Sequence, residues 1–391
     1  MQPKTNLQYT QHAVKKIKQK IHNTKLCAKE REKDPKFALD VPIEIGLKLT
    51  NRCNLRCTHC FQWDIGGYHH SLDKSELKKD GDLSFEIVTE LFNKTKEANS
   101  SLYLWGGEPT LYAHWDKLMD LLVVDPRETV LCTNGVTLHT KIDSILKVSE
   151  YLTVLVSIEG SEDIHNAIRG KDTYAKIVKN LDQLIQLREE GLFKGTLSVE
   201  AVISDGLIPQ MYEFCEYWES RGIDSLYLNF PWFIPHAVAD HMDEYFENKF
   251  SWMGPGLGKG NSWHSFDFKI SSDLIDDLKR QMKKIIDRKW NIRIRFHPDL
   301  TTKDLIEYIE GSVKPAQDRT RCLGMSNRID LLPSGQVTPC KKFPEFNVGN
   351  LNNKSLEEIW KGDKFDEFRN IQNNGLMDIC SKCEILYANG I

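Results

Sequence analysis

Cys53, Cys57 and Cys60 stand in the run Asn51-Arg52-Cys53-Asn54-Leu55-Arg56-Cys57-Thr58-His59-Cys60-Phe61, with three residues in the first gap and two in the second. That spacing suits three corners of one iron–sulfur cube. A [4Fe–4S] cluster takes one thiolate per iron, and with no fourth cysteine nearby one iron stays open to an outside ligand. A zinc knuckle or a set of buried thiols would use the same residue types. A second candidate is Ser101-Leu102-Tyr103-Leu104-Trp105-Gly106-Gly107-Glu108-Pro109, an apolar run that ends in two glycines and a carboxylate. The glycines let a ligand approach the backbone without a Cβ in the way, and Glu108 is an acceptor suited to an ammonium group. Four further cysteines, Cys322, Cys340, Cys380 and Cys383, lie in the C-terminal fifth and could close another metal site. Taken alone, four thiols favour zinc.

These groups need elements to hold them. Before the first trio, Ile43, Ile45, Leu47 and Leu49 alternate with Glu44 and Lys48 at strand period, so the cysteine loop leaves the C-terminal end of a strand. Apolar runs at 101–106, 129–133 and 152–158 likewise stop on Gly or polar residues, and 197–203 and 226–230 complete six strand-like runs. Helix-like stretches separate them, as at Thr173 to Leu187, where Tyr174, Ile177, Val178, Leu181, Leu184 and Ile185 recur at helical spacing. Such alternation predicts a parallel βα barrel with its ligands at the C-terminal strand ends.

A strand followed by Cys-x3-Cys-x2-Cys, with Asn-Leu after the first cysteine and an aromatic ring before the third, resembles the radical S-adenosylmethionine (SAM) superfamily. The resemblance implies an α/β fold, a partial (βα)6 TIM-like barrel, in which Cys53, Cys57 and Cys60 are the catalytic cluster ligands. It implies that Gly106, Gly107 and Glu108 receive the SAM amino group. Thr133 and Asn134 of the Thr-Asn-Gly turn, together with Ser157, would line the SAM site, and His59 and Phe61 would flank the adenine. Arg169 sits where relatives place an arginine for the SAM carboxylate, a bidentate task that suits a guanidinium; the other reading is a surface arginine in a loop. The reaction implied is reductive cleavage of SAM to a 5′-deoxyadenosyl radical that removes a substrate hydrogen. A flavodoxin- or ferredoxin-like protein would donate the electron.

With 391 residues, 40% hydrophobic and 28% charged, and a net charge of −4, the composition predicts an ordinary soluble enzyme with no leaning towards nucleic acid. No run of about 18 apolar residues occurs, which predicts no membrane span and, with no signal peptide, a cytoplasmic protein. In a reducing compartment, grouped cysteines read as metal ligands rather than disulfides. Residues 1–40 form a polar arm, expected to be helical, whose basic run Lys15-Lys16-Ile17-Lys18-Gln19-Lys20 suits either a solvated face or an acidic partner. The barrel is expected over 41–230. An aromatic-rich segment with a helical connection follows over 231–315, and its rings around Gly254, Gly256, Gly258 and Gly260 read equally as a cover for the site or as packing.

The remaining segment, 316–391, carries Arg328 to Cys340, a hairpin with Pro-Ser-Gly at its turn. With Val348-Gly349-Asn350-Leu351 and Ser355 to Trp360, it resembles the SPASM or twitch extension of radical SAM proteins. That likeness implies an auxiliary [4Fe–4S] cluster held by Cys322, Cys340, Cys380 and Cys383. After Cys383 the chain has no cysteine, so a single auxiliary cluster is expected. Fully ligated, it suits electron transfer. Cys27, Cys132 and Cys215 fall outside both groups and read as small buried hydrophobes. The substrate class implied is a ribosomally made peptide, oxidised or cross-linked. The rivals are dehydrogenation or epimerisation of a small molecule such as an aminosugar and, from another class, a non-catalytic zinc-binding module.

Overall fold

The computed structural model describes residues 2–70, 81–254 and 260–391. Seven strands, β1 (Glu44–Thr50), β2 (Ser101–Gly106), β3 (Thr129–Thr133), β4 (Leu152–Ser157), β5 (Thr196–Val202), β6 (Ser225–Asn229) and β7 (Arg293–His297), pair in sequence order and all parallel. Three more, β8 (Arg328–Leu331), β9 (Gln336–Thr338) and β10 (Gly349–Asn350), extend the β1 edge, giving the ten-stranded order β10-β9-β8-β1-β2-β3-β4-β5-β6-β7. The six strands expected from the sequence are its centre. Missing from that reading was β7, while β8 was expected as a hairpin strand but not as part of this sheet; they add parallel to its two edges. β7 is short and interleaves Arg with apolar residues, so it does not read as a buried strand.

Side-chain period explains the curl of the sheet. On one face Leu102, Leu104, Leu131, Val154, Val156, Leu197, Val199, Leu226 and Leu228 are buried in the aliphatic core. On the other, Tyr103, Cys132, Ser157, Glu200, Asn229 and His297 face a common cavity. Helices cover the aliphatic face. Helix α2 (Phe85–Lys94), for example, buries Ile87, Val88, Leu91 and Phe92, and truncating one such side chain costs about 2–5 kcal/mol.

The N-terminal arm is helical, with α1 at Gln11–Lys33 and the Thr10 side chain capping Ala13 N. Lys20 reaches Glu44 on β1 at 2.8 Å. Arg31 donates to the carbonyls of Cys322 and Arg369 at 2.6 and 3.1 Å, tying the arm to the C-terminal region. The expected hairpin is β8–β9, and its turn uses Gly335 at φ +82°, where glycine has no steric cost. Gly46 admits β8 beside β1, since a Cβ there would lie 1.7 Å from Asp330 Oδ1.

The aromatic segment divides its work. Phe246, Phe250 and Trp263 pack against Phe346, whereas Trp232, Phe266 and Phe268 line the cavity. Gly254 and Gly260 take positive φ; Gly256 and Gly258 lie outside the described residues.

Candidate functional site

The loop that leaves β1 is held before it reaches its first cysteine. Gly107 N and Glu108 N donate to the carbonyls of Thr50 and Arg52, both at 2.8 Å. A Cβ on Gly106 would meet Thr50 O at 2.5 Å, and one on Gly107 would meet Arg52 O at 2.2 Å. These glycines therefore serve close approach of two strand ends, a reason beyond the ligand access expected from sequence. Past Arg52, Thr58 N donates to Ile168 O at 2.9 Å, and Trp63 Nε1 donates to Asn51 O at 3.0 Å.

All three thiols of the loop line the cavity. Leu55 N and Trp63 N point at the sulfurs of Cys53 and Cys60 from 3.5 and 3.4 Å, amide dipoles that favour thiolate. Burial acts the other way, pushing Cys53 up to about 12. It also raises Cys57 to about 11, against the pull of Arg169, whose Nη1 lies 4.0 Å from that sulfur. Metal binding would overcome this by displacing the protons.

Every residue expected to hold SAM lines the same cavity: His59, Phe61, Gly106, Gly107, Glu108, Thr133, Asn134, Ser157 and Arg169. Their partners refine the expected roles. The Glu108 carboxylate is buried and accepts from Thr110 N, Thr110 Oγ1, Thr133 Oγ1 and Asn134 N at 2.6–3.0 Å. It thereby locks the Thr-Asn-Gly turn to β2; desolvation nonetheless holds it above the usual carboxylate range. Asn134 Nδ2 in turn donates to Asn54 Oδ1 at 2.8 Å, inside the cysteine loop. Arg169 ends the helix Glu162–Arg169 and is no surface group. Its Nε donates to Glu159 Oε1 at 2.8 Å, and its Nη2 bonds the same oxygen. His59 Nε2 lies 3.0 Å from that oxygen, off the hydrogen-bonding direction. Burial of Glu159 opposes its charge, but Arg169 and His59 outweigh it and hold the carboxyl well below its usual range. Phe61 stacks on Phe266 with ring centroids 4.8 Å apart.

The cavity measures about 800 Å³, within the range of small-molecule and cofactor sites. Sequence reasoning left several of its residues unassigned. Glu159 follows the strand end that carries Ser157 and was legible there as a second acid. Glu200 on β5 accepts from Cys132 Sγ, Ser157 Oγ and Asn229 Nδ2 at 3.1, 3.0 and 3.4 Å, so Cys132, unlike the buried Cys27 and Cys215, faces the chamber. Lys341, Lys342 and Glu384 also line it. Their only sequence signal is that each adjoins or follows a cysteine of the C-terminal set.

That set converges from three places: Cys322 before β8, Cys340 after β9, and Cys380 and Cys383 around the turn Asp378–Lys382. Cys340 is raised well above the usual thiol range by burial and then by Cys380, Cys383 and Cys322, so the four thiols share one neighbourhood. None forms a disulfide. Among the described residues, the one set of three or more Cys, His, Asp or Glu ligand atoms within 4.8 Å of one another is Asp240, Asp243 and His264. Neither cysteine set closes so far. Zinc with Zn–S near 2.3 Å would draw its sulfurs to about 3.8 Å, whereas a cluster puts several irons between them. The donor sets, three thiols lining the cavity and four grouped thiols, are of the kind that iron–sulfur clusters take.

No helix among the described residues is long and apolar enough to cross a membrane. Residues 47–197 match the radical SAM superfamily, and residues 322–384 match an iron–sulfur cluster-binding domain, SPASM. The chain is 24% identical over 366 residues to the tungsten-containing aldehyde ferredoxin oxidoreductase cofactor-modifying protein of Pyrococcus furiosus, covering 87% of this chain and 86% of that one. It is 22% identical over 350 residues to the antilisterial bacteriocin subtilosin biosynthesis protein AlbA of Bacillus subtilis, covering 88% of this chain and 64% of that one. In fold it is similar to Streptococcus suis SuiB, solved bound to precursor peptide SuiA, with a TM-score of 0.56 and 15% identity over 92% of this chain and 72% of that one.

Proposed function

Because this chain is a radical SAM enzyme with a C-terminal SPASM domain, we propose that it oxidatively modifies or cross-links a peptide. The observation that supports this reading is a chamber lined both by the first cysteine set and by residues that neighbour the second in sequence. The Cys53–Cys57–Cys60 loop stands on one wall, and on another are Lys341, Lys342 and Glu384, each within two residues of Cys340 or Cys383. A substrate in the chamber touches both walls.

In this reading Cys53, Cys57 and Cys60 would hold a [4Fe–4S] cluster, and Cys322, Cys340, Cys380 and Cys383 an auxiliary one. When bound, the first cluster and SAM supply reductive cleavage of SAM and hydrogen abstraction from an unactivated carbon. The chain's own residues bind and orient. Glu108 fixes the turn of Thr133 and Asn134, and the Arg169–Glu159 pair, with His59 beside it, presents both a cation and an acceptor to a zwitterionic amino-acid end. Phe61 and Phe266 offer ring faces to a base. Trp232 and Phe268 add apolar wall that excludes water. The peptide substrate is favoured because AlbA is named for bacteriocin biosynthesis and SuiB was solved with a precursor peptide. A flavodoxin- or ferredoxin-type donor supplies the electron.

The test is anaerobic incubation of reconstituted enzyme with SAM, a reductant and peptides encoded beside its gene. The expected result is 5′-deoxyadenosine together with a peptide that has lost two hydrogens, seen by mass spectrometry. SAM cleavage with every such peptide unaltered would overturn the peptide assignment and leave the radical SAM chemistry standing.

A further inference from the structure

Resting on the reading of the barrel cavity as the substrate chamber, we infer that Lys341 and Lys342 form a subsite for a carboxylate group of the substrate, beside the C-terminal cysteine set. Both line the cavity. Their ammonium groups share one carboxylate, Lys341 Nζ at 2.9 Å from Glu384 Oε1 and Lys342 Nζ at 2.9 Å from Glu384 Oε2. Two cations face this one carboxylate in a poorly hydrated place, Lys341 being only 8% exposed. Glu200, another acid of the chamber wall, already accepts from Cys132, Ser157 and Asn229.

Hydrogen-bonding capacity points the same way. Each ammonium has three N–H donors, and Glu384 takes one from each. The other neighbours are ring faces: Lys341 Nζ lies 3.9 Å from the Tyr103 centroid and Lys342 Nζ 4.0 Å from that of Trp232. Rings attract the cation and hold it at the wall, yet leave N–H donors for a guest. A guest carboxylate spanning the lysines would complete a four-membered, charge-balanced set with Glu384. The chemical class is an acidic side chain or a C-terminal carboxylate flanked by apolar or aromatic groups.

The test uses anaerobically reconstituted holoenzyme and two probes, N-benzoylglycine and its amide, titrated by calorimetry. Wild-type enzyme should bind the acid at least about tenfold more tightly than the amide, as one charge-assisted contact implies. Lys342→Met should abolish most of that preference. Glu384→Gln, which removes the internal competitor, should tighten acid binding and leave amide binding as it was. An acid no tighter than the amide in wild type, or a preference that survives Lys342→Met, overturns the inference. Should Lys342→Met not retain its iron, Glu384→Gln decides: tighter acid binding supports the subsite, and unchanged or weaker binding overturns it. Cleavage of SAM by the same wild-type preparation reports separately on the radical SAM reading.

Discussion

The two cysteine sets solve one problem, holding thiols at cluster spacing, by opposite means. Cys53, Cys57 and Cys60 come from a single loop whose shape is imposed locally, by Gly106 and Gly107 against Thr50 and Arg52 and by Leu55 N and Trp63 N on the sulfurs. Cys322, Cys340, Cys380 and Cys383 come from segments that only a hairpin, a terminal turn and the arm residue Arg31 bring together. The first set faces a chamber and is one thiol short of a closed cluster, so it leaves room for a ligand. The second is complete. A thiol set that lines a chamber can be built on one loop pinned by a neighbouring strand end, whereas a set gathered from separate segments depends on the fold.

The largest expected effect separates the sets outright. Cys57→Ala should abolish 5′-deoxyadenosine formation and leave about four of about eight irons per chain. Residual turnover at wild-type rate would remove the loop from the chemistry. Cys340→Ala should also remove about four irons, but in a folded variant SAM cleavage should continue while oxidised product falls. Equal product from variant and parent would show that the second set takes no electron from substrate. Because those thiols also knit the C-terminal region, thermal stability should fall more in this variant than in Cys57→Ala.

A smaller effect probes how the loop is pinned. Gly107→Ala places a Cβ on the Arg52 carbonyl and should cost about 1–3 kcal/mol of stability, with weaker SAM binding and an intact second cluster. Loss of iron from both sets would mean that they fold as one unit. The smallest is a pH dependence near the loop. His165, 0% exposed, accepts from Glu159 N at 3.2 Å through Nδ1, and burial followed by Arg169 lowers its pKa to about 4. The unfolded chain, with a pKa near 6.5, binds more protons between these values, so stability rises with pH there. About 3 kcal/mol should be lost as pH falls from about 7 to about 4. In His165→Asn, melting of the metal-free protein should be flatter across that window; an identical slope would assign the acid loss to other groups.

Much of this was readable from residue order because it is local. The cysteine trio, the glycine pair and the polar strand ends each depend on a few consecutive residues, and period-2 alternation marked the six central strands. Less was readable where partners are distant. Arg169 was open to being a surface group because Glu159 becomes its partner only when the strand end and the following helix fold back together. β7 escaped notice because an edge strand with Arg at alternate positions looks like a loop until it pairs, and the hairpin strand β8 could not be seen to join β1.

By itself the sequence determined the donor types, the gap lengths in the first loop and the strand ends that carry them, since covalent spacing and side-chain period need no third dimension. Only the tertiary structure decided that the first set lines the chamber together with neighbours of the second. It also decided that the four late thiols share one neighbourhood, and that Lys341 and Lys342 turn towards the cavity with a single carboxylate between them. Those outcomes depend on distances between segments tens to hundreds of residues apart, which packing sets and local propensity does not.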